Sequence, residues 1–110
     1  MKNFIVIYHA PAEAMAQMGE ATPEQREEGM KQWMAWKDSI GSSLVDFGAP
    51  LVGGQRLLPD GSTQPSTKEV SGYSILQAND IDAAKALLAN HPHLKWTEGC
   101  DIEVHETVPM

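Results

Sequence analysis

Residues 72–106, GYSILQANDIDAAKALLANHPHLKWTEGCDIEVHE, decide how the rest of the chain is read. Val70–Gln77 predicts a strand, rich in β-branched and aromatic residues, with Tyr73 and Ile75 on one face. Asn79 is a candidate N-cap for a helix over 79–90, with Asp82 three residues on as a weak capping-box partner near the positive helix end. Ile81, Ala84, Lys85, Leu87 and Leu88 keep helical spacing until Pro92 stops it. Cys100–Thr107 then alternates, with Ile102 and Val104 on one face and Asp101, Glu103 and His105 on the other. The stretch is a strand–helix–strand unit with a histidine-rich turn where the helix hands over to the second strand.

Upstream, the pattern starts with a strand of a different kind. Asn3–His9, NFIVIYH, is apolar on both faces, as a central strand covered on both sides requires. Ala10–Ala21 is expected as a loop packed down by Met15 and Met18, the other readings being a short helical turn or a loose flap that includes them. Thr22-Pro23-Glu24-Gln25 opens a helix: Thr22 caps it, Pro23 takes the tolerated first position and Gln25 closes a capping box. This helix is predicted over 22–47, with Gly48 as its left-handed stop. Its apolar stripe reads Trp33, Lys37, Ile40, Leu44 and Phe47, flanked by Met30, Met34, Gly41 and Val45, with Trp36 at the edge. Lys37 within the stripe has two readings, a snorkelling side chain whose methylenes cover the core or an ammonium aimed at an anionic ligand. Pro50–Leu58 predicts a strand weakened by Gly53-Gly54, and the polar loop Pro59–Thr67 returns it as a long hairpin into Val70–Gln77.

The order is therefore strand, helix, strand, strand, helix, strand. Two right-handed strand–helix–strand units joined by a hairpin give an α+β, ferredoxin-like βαββαβ fold with an antiparallel sheet in the order fourth, first, third, second. Both helices cover one sheet face, and a chain of 110 residues, enough for one domain over 1–110, supplies nothing for the other. A second subunit is the natural cover, so a homodimer through sheet faces is expected.

Composition excludes several classes. A net charge of −7 without clustered Lys and Arg argues against a nucleic-acid surface. The longest unbroken apolar run, Phe4–Tyr8, is far short of the roughly 20 residues a membrane span needs. No basic segment precedes an apolar one in signal-peptide fashion, and the one cysteine fits a reducing compartment, so the expected location is the cytoplasm. No glycine-rich nucleotide loop or cofactor-lysine motif is present, and no cofactor is expected.

The runs YHAP, TPEQ, GAPL, GYSILQA, HPHL and CDIEVHE resemble the YCII-related family over nearly the whole chain. The resemblance implies a dimeric α+β barrel, two ferredoxin-like sheets packed face to face with a cavity between sheet and helices. It assigns no particular reaction. Where a site is proposed in that family, it pairs a His of the first helix with an Asp just before a Pro at the end of the second. Here His91 holds the position before Pro92 and the first helix carries no histidine, so that pair does not transfer.

The chain's own polar groups stand in its place. The topology draws His9, His91, His93, Cys100 and Asp101 towards one edge of the sheet, with His105 further along the last strand. Imidazole and carboxylate are the groups of acid–base catalysis, so His9, His91, His93 and Asp101 are the candidate catalytic residues. Tyr8, Lys37, Glu103 and His105 are candidate lining residues. His91-Pro-His93 has no HExxH or CxxC company, and no metal site is predicted. It also reads as a helix C-terminus favoured by a partly cationic imidazole. Cys100 reads as a small buried residue rather than a nucleophile. If His9 lies opposite Asp101, then Ile5, Ile7 and His9 share a face with Asp101, Glu103 and His105, either a solvated edge or a dimer interior. Two functions follow. One is a cofactor-independent enzyme moving a proton on a small aromatic or carbonyl metabolite; the alternative is a ligand-binding or accessory dimer with no catalytic step.

Overall fold

The two-sided apolar run becomes β1 (Lys2–His9), an inner strand, in the computed structural model, which describes residues 1–110. After it come α1 (Ala12–Gly19), α2 (Pro23–Ile40), β2 (Leu44–Pro50), β3 (Gln55–Leu57), β4 (Thr63–Pro65), β5 (Val70–Ala78), α3 (Ile81–Leu88) and β6 (Asp101–Glu106). The main sheet runs β2-β5-β1-β6 with every neighbour antiparallel, which is the ferredoxin-like order the sequence calls for. Phe4, Val6 and Tyr8 alternate into the core against Leu76, Trp36, Ala84 and Leu88. Ile5, Ile7 and His9 alternate to the other face, which no element of this chain covers.

Three elements depart from the sequence expectation. Ala10–Ala21 is not mainly a loop but takes the helical alternative: Pro11 precedes a helix, α1, whose residues before the closing Gly19 are Ala, Met, Glu and Gln, all good helix formers, and Ala14 is its buried contact. The capping box of α2 forms as read, with Thr22 Oγ1 accepting from the Gln25 N–H at 3.1 Å and the Gln25 carboxamide accepting from the Thr22 N–H at 2.9 Å. However, α2 ends at Ile40, where Gly41 takes φ +53, and not at Phe47. Leu44 and Phe47 still reach the core, from a strand. Register shifts on either side of Asp46 let residues three apart face the same way, which imitates a helical stripe. The third departure follows: Pro50–Leu58 is not one strand. β2 stops at Pro50, and β3 pairs only with β4 in a separate ribbon.

Smaller corrections concern single residues. The cap of α3 is Asp80, whose Oδ1 accepts from the Ala83 N–H at 2.8 Å, and not Asn79. Trp36, read as an edge residue, is the buried residue of α2, and its Nε1–H donates to the Leu87 carbonyl at 2.9 Å. Met30 and Met34 are exposed.

Gly48 has the left-handed φ, +81, expected of it, for a different reason. It sits in β2, where a Cβ would lie 1.7 Å from the Tyr73 carbonyl oxygen of β5. Gly48→Ala is expected to lower unfolding free energy by about 3 kcal/mol, through strain plus a backbone collision. Urea denaturation of the variant measures it; a loss below roughly 1 kcal/mol would mean that β2 and β5 can separate without cost.

Candidate functional site

The β1–β6 register sets His9 opposite Asp101, Ile7 opposite Glu103 and Ile5 opposite His105. All these side chains point to the uncovered face, and four of them, Asp101, His9, Glu103 and His105, make a continuous polar chain. His9 Nδ1–H donates to Asp101 Oδ1 at 3.0 Å, and His9 Nε2 lies 3.6 Å from Glu103 Oε2. The other Glu103 oxygen accepts from His105 Nε2–H at 2.9 Å. His9 is the sheltered member, its side chain 18% exposed against 72% for Asp101 and 54% for Glu103. An imidazole pinned by a carboxylate at one nitrogen and reachable at the other has the geometry of a positioned proton acceptor. The donors lie in a row and do not converge, and no three His, Cys, Asp or Glu groups are placed to hold one ion.

A depression of about 460 Å³ opens beside this ring, lined by His9, Lys68, Glu69, Asp101, Ile102 and Glu103 together with Gly99. Lys68 and Glu69 gave no signal in the sequence. They reach the mouth because Glu69 adopts φ +58 and its carbonyl accepts from the Ala10 N–H at 2.9 Å, tying the start of β5 to the end of β1.

The histidines expected to share a concave surface with His9 lie behind the sheet. His91 and His93 are buried on the helix side, so neither lines the depression. His93 meets His9 through the backbone: its Nε2–H donates to the His9 carbonyl at 2.8 Å. Burial lowers the His93 pKa, while hydrogen bonding to the His9 and Asp101 backbones opposes the shift. His91 is wholly enclosed by Tyr8, Trp33 and Trp36, with ring centroids 4.9, 4.4 and 4.3 Å away. Its Nδ1 accepts from the His93 N–H at 3.0 Å, so the neutral ring carries its hydrogen on Nε2, which has no hydrogen-bond acceptor and only aromatic surface around it. Burial, then the neighbouring His93, pushes its pKa down to about 3. A cationic cap on α3 is therefore not its role.

Two expected lining residues also lie elsewhere. Tyr8 is buried on the helix side; Ser74 Oγ–H donates to the Phe47 carbonyl at 2.7 Å, so the Tyr8 O–H is the donor to Ser74 Oγ at 2.8 Å. Burial raises its pKa to about 12. The Lys37 ammonium sits over the Phe47 ring, 5.5 Å from its centroid, and does not line the depression. Glu103 does line the depression, and His105 extends its polar chain. Burial raises the Cys100 thiol above its usual range, which keeps it protonated.

The antiparallel sheet, the helices on one face and the order β2-β5-β1-β6 define an α+β, ferredoxin-like fold. The chain belongs to the YCII-related domain family, whose model matches residues 1–107. Its fold is also similar to that of 5-chloro-2-hydroxyhydroquinone dehydrochlorinase (TftG) from Burkholderia phenoliruptrix AC1100, solved in complex with 2,5-dihydroxybenzoquinone. The TM-score is 0.52 at 15% identity, covering 94% of this chain and 91% of that one. No curated protein matches the sequence. No helix is long and apolar enough to cross a membrane.

The buried His91 makes stability fall on the acid side. Folded, it stays neutral down to about 3; unfolded, it takes a proton near 6.5, so the unfolded state binds more protons between those values. Its contribution is constant above pH 6.5 and is lost as the pH falls below it, by up to roughly 1.4 kcal/mol per unit, with His93 shifted the same way. Urea midpoints from pH 7 to 4 should decline, and His91→Phe, which keeps an aromatic ring in the box, should flatten the decline. An unchanged slope in that variant would show that His91 is not the acid-sensitive group.

Proposed function

We propose that this chain acts, as one domain over 1–110, in a homodimer of α+β barrel type that binds a small ring metabolite and moves a proton through His9. The observation that carries the reading is the His9 ring itself, held at Nδ1 by Asp101 and facing Glu103 across 3.6 Å, at the floor of a depression on the uncovered sheet face. Asp101 orients the imidazole; Nε2 accepts a proton from a hydroxyl or acidic C–H of the ligand and returns it; Glu103 holds that proton in place. The step needs no organic cofactor. His93, bonded to the His9 carbonyl, is a positioning residue, and His91 with Tyr8 keeps the turn that carries His93 rigid. The similar fold that holds 2,5-dihydroxybenzoquinone supports a small hydroxylated ring as the ligand class. The lone cysteine supports a reducing compartment, the cytoplasm.

The dimer is supported by the open face. Ile5, Ile7 and Ile75 lie on it half-buried, beside Tyr73 and His9, with no helix of their own chain over them. A second sheet about 10 Å away would cover them and close the depression. Light scattering at micromolar concentration should give a dimer, and Ile7→Asp should give a folded monomer. A monomeric native protein would end the sheet-to-sheet reading.

The ligand test is a titration of 2,5-dihydroxybenzoquinone and related hydroxylated rings, followed by absorbance and by the imidazole proton resonances. Native protein should bind saturably, with the His9 resonances shifting most. His9→Ala should weaken binding by at least about tenfold, roughly 1.4 kcal/mol, with little change in thermal stability. Equal affinity in His9→Ala would remove His9 from the site. Saturable binding without turnover across the panel would favour the ligand-binding dimer over the enzyme.

A further inference from the structure

The segment between β2 and β5 leaves the body of the protein altogether. β3 and β4 pair only with each other, and no residue from 51 to 69 is buried. Val52 is 84% exposed and Leu57 76%. The radius of gyration, 15.2 Å, exceeds the roughly 13 Å of an ordinary domain of this length, as a projecting arm requires. A lone two-stranded ribbon is marginal in water, so a formed one with exposed Val and Leu calls for a surface to lie on.

The charges on the arm say what kind of surface. Apart from Lys68 and Glu69 at its root, its ionic side chains are Arg56 and Asp60. The Asp60 carboxylate is used within the turn, accepting from the Ser62 N–H at 2.9 Å and the Ser62 hydroxyl at 2.6 Å. Arg56, opposite Gln64 in the ribbon, makes no ion pair in its own chain. At the root of the arm is the depression beside His9, where Glu69, Asp101 and Glu103 outnumber Lys68. Arg56 does not line the depression of its own chain, and it stands six residues beyond the end of β2, a length of chain that spans at most about 20 Å. Two face-to-face sheets are only about 10 Å apart, well within that reach.

We propose that the arm of each protomer crosses to a second copy of this chain, where Arg56 completes the partner's site at Asp101 and Glu103. In the empty site the guanidinium pairs with these carboxylates. With a hydroxylated ring bound, it takes the oxyanion left when His9 Nε2 accepts the hydroxyl proton, and releases it when the proton returns. The inference rests on the dimer and on His9 as acceptor, and it adds an anion subsite supplied by the other chain.

Zero-length cross-linking tests the contact without a ligand. Arg56→Lys puts an amine at the arm, and carbodiimide should join it to Glu69, Asp101 or Glu103 of an isotopically distinct partner, identified by mass spectrometry. No inter-chain product from a protein that scatters as a dimer would overturn the proposal while leaving the dimer intact; a monomer would overturn both. The functional arm uses a heterodimer of an Arg56→Ala chain with a His9→Ala chain, purified by two tags. Each homodimer should bind 2,5-dihydroxybenzoquinone at least about tenfold more weakly than the native protein, while the heterodimer regains about half the native sites, because one site again has both residues. No recovery, or native affinity in the Arg56→Ala homodimer, would show that Arg56 does not act across the interface. Native affinity in the His9→Ala homodimer would remove the acceptor, and the subsite with it.

Discussion

Everything in this molecule hangs on the pairing of β1 with β6, in which His9 stands opposite Asp101. Because side chains alternate with a period of two, that one register assigns every residue of both strands to a face. Phe4, Val6 and Tyr8 go with Ile102 and Val104 into the core, and Ile5, Ile7 and His9 go with Asp101, Glu103 and His105 to the open side. A slip of β6 by one residue would bury Asp101, Glu103 and His105 under the helices and turn Ile102 and Val104 out to water. The penalty for burying unpaired carboxylates far exceeds what any local strand preference supplies, so the register that makes the core also makes the site.

The two faces are joined mechanically at the end of β1. On the helix side the turn after α3 places His93 against the His9 carbonyl, and His91 packs beneath it in an aromatic box. On the open side the same residue's imidazole is held by Asp101. Thus the backbone of His9 is fixed from behind and its ring from in front. A side chain carried on a strand and locked from both sides keeps its geometry better than one on a loop.

How much of this was legible differs by residue. The strand order, the α2 cap at Thr22 and the face shared by His9, Asp101 and Glu103 were readable, because each rests on a local pattern with one stable outcome. The end of α2 was not. Leu44 and Phe47 continue the spacing of Ile40, and a strand with register shifts around Asp46 produces the same spacing of buried residues as a helix does. Only Gly41-Ser42-Ser43 marked the break. The histidines were legible as a group and not as individuals. Proximity in the topology brought His9 and His93 together, yet sequence does not say which side of a sheet a turn residue enters from. Glu69 was invisible, since its place in the mouth depends on a left-handed backbone at a residue that is not glycine.

The separation of the histidines has its own chemical logic. A ring enclosed by Tyr8, Trp33 and Trp36 cannot hold a charge, and its pKa near 3 removes it from any proton traffic at neutral pH. The place of His9 on the uncovered face, beside two carboxylates, leaves its ring open to an incoming group, but that face alone is too open to exclude water. The same surface that leaves Ile5, Ile7 and Ile75 without cover leaves His9 without a roof. One event, the arrival of a second sheet with its projecting arm, would bury the isoleucines and shelter the imidazole together. Stability and site chemistry then place the same demand on the assembly, and a substitution that weakens the apolar contact should also expose the proton acceptor.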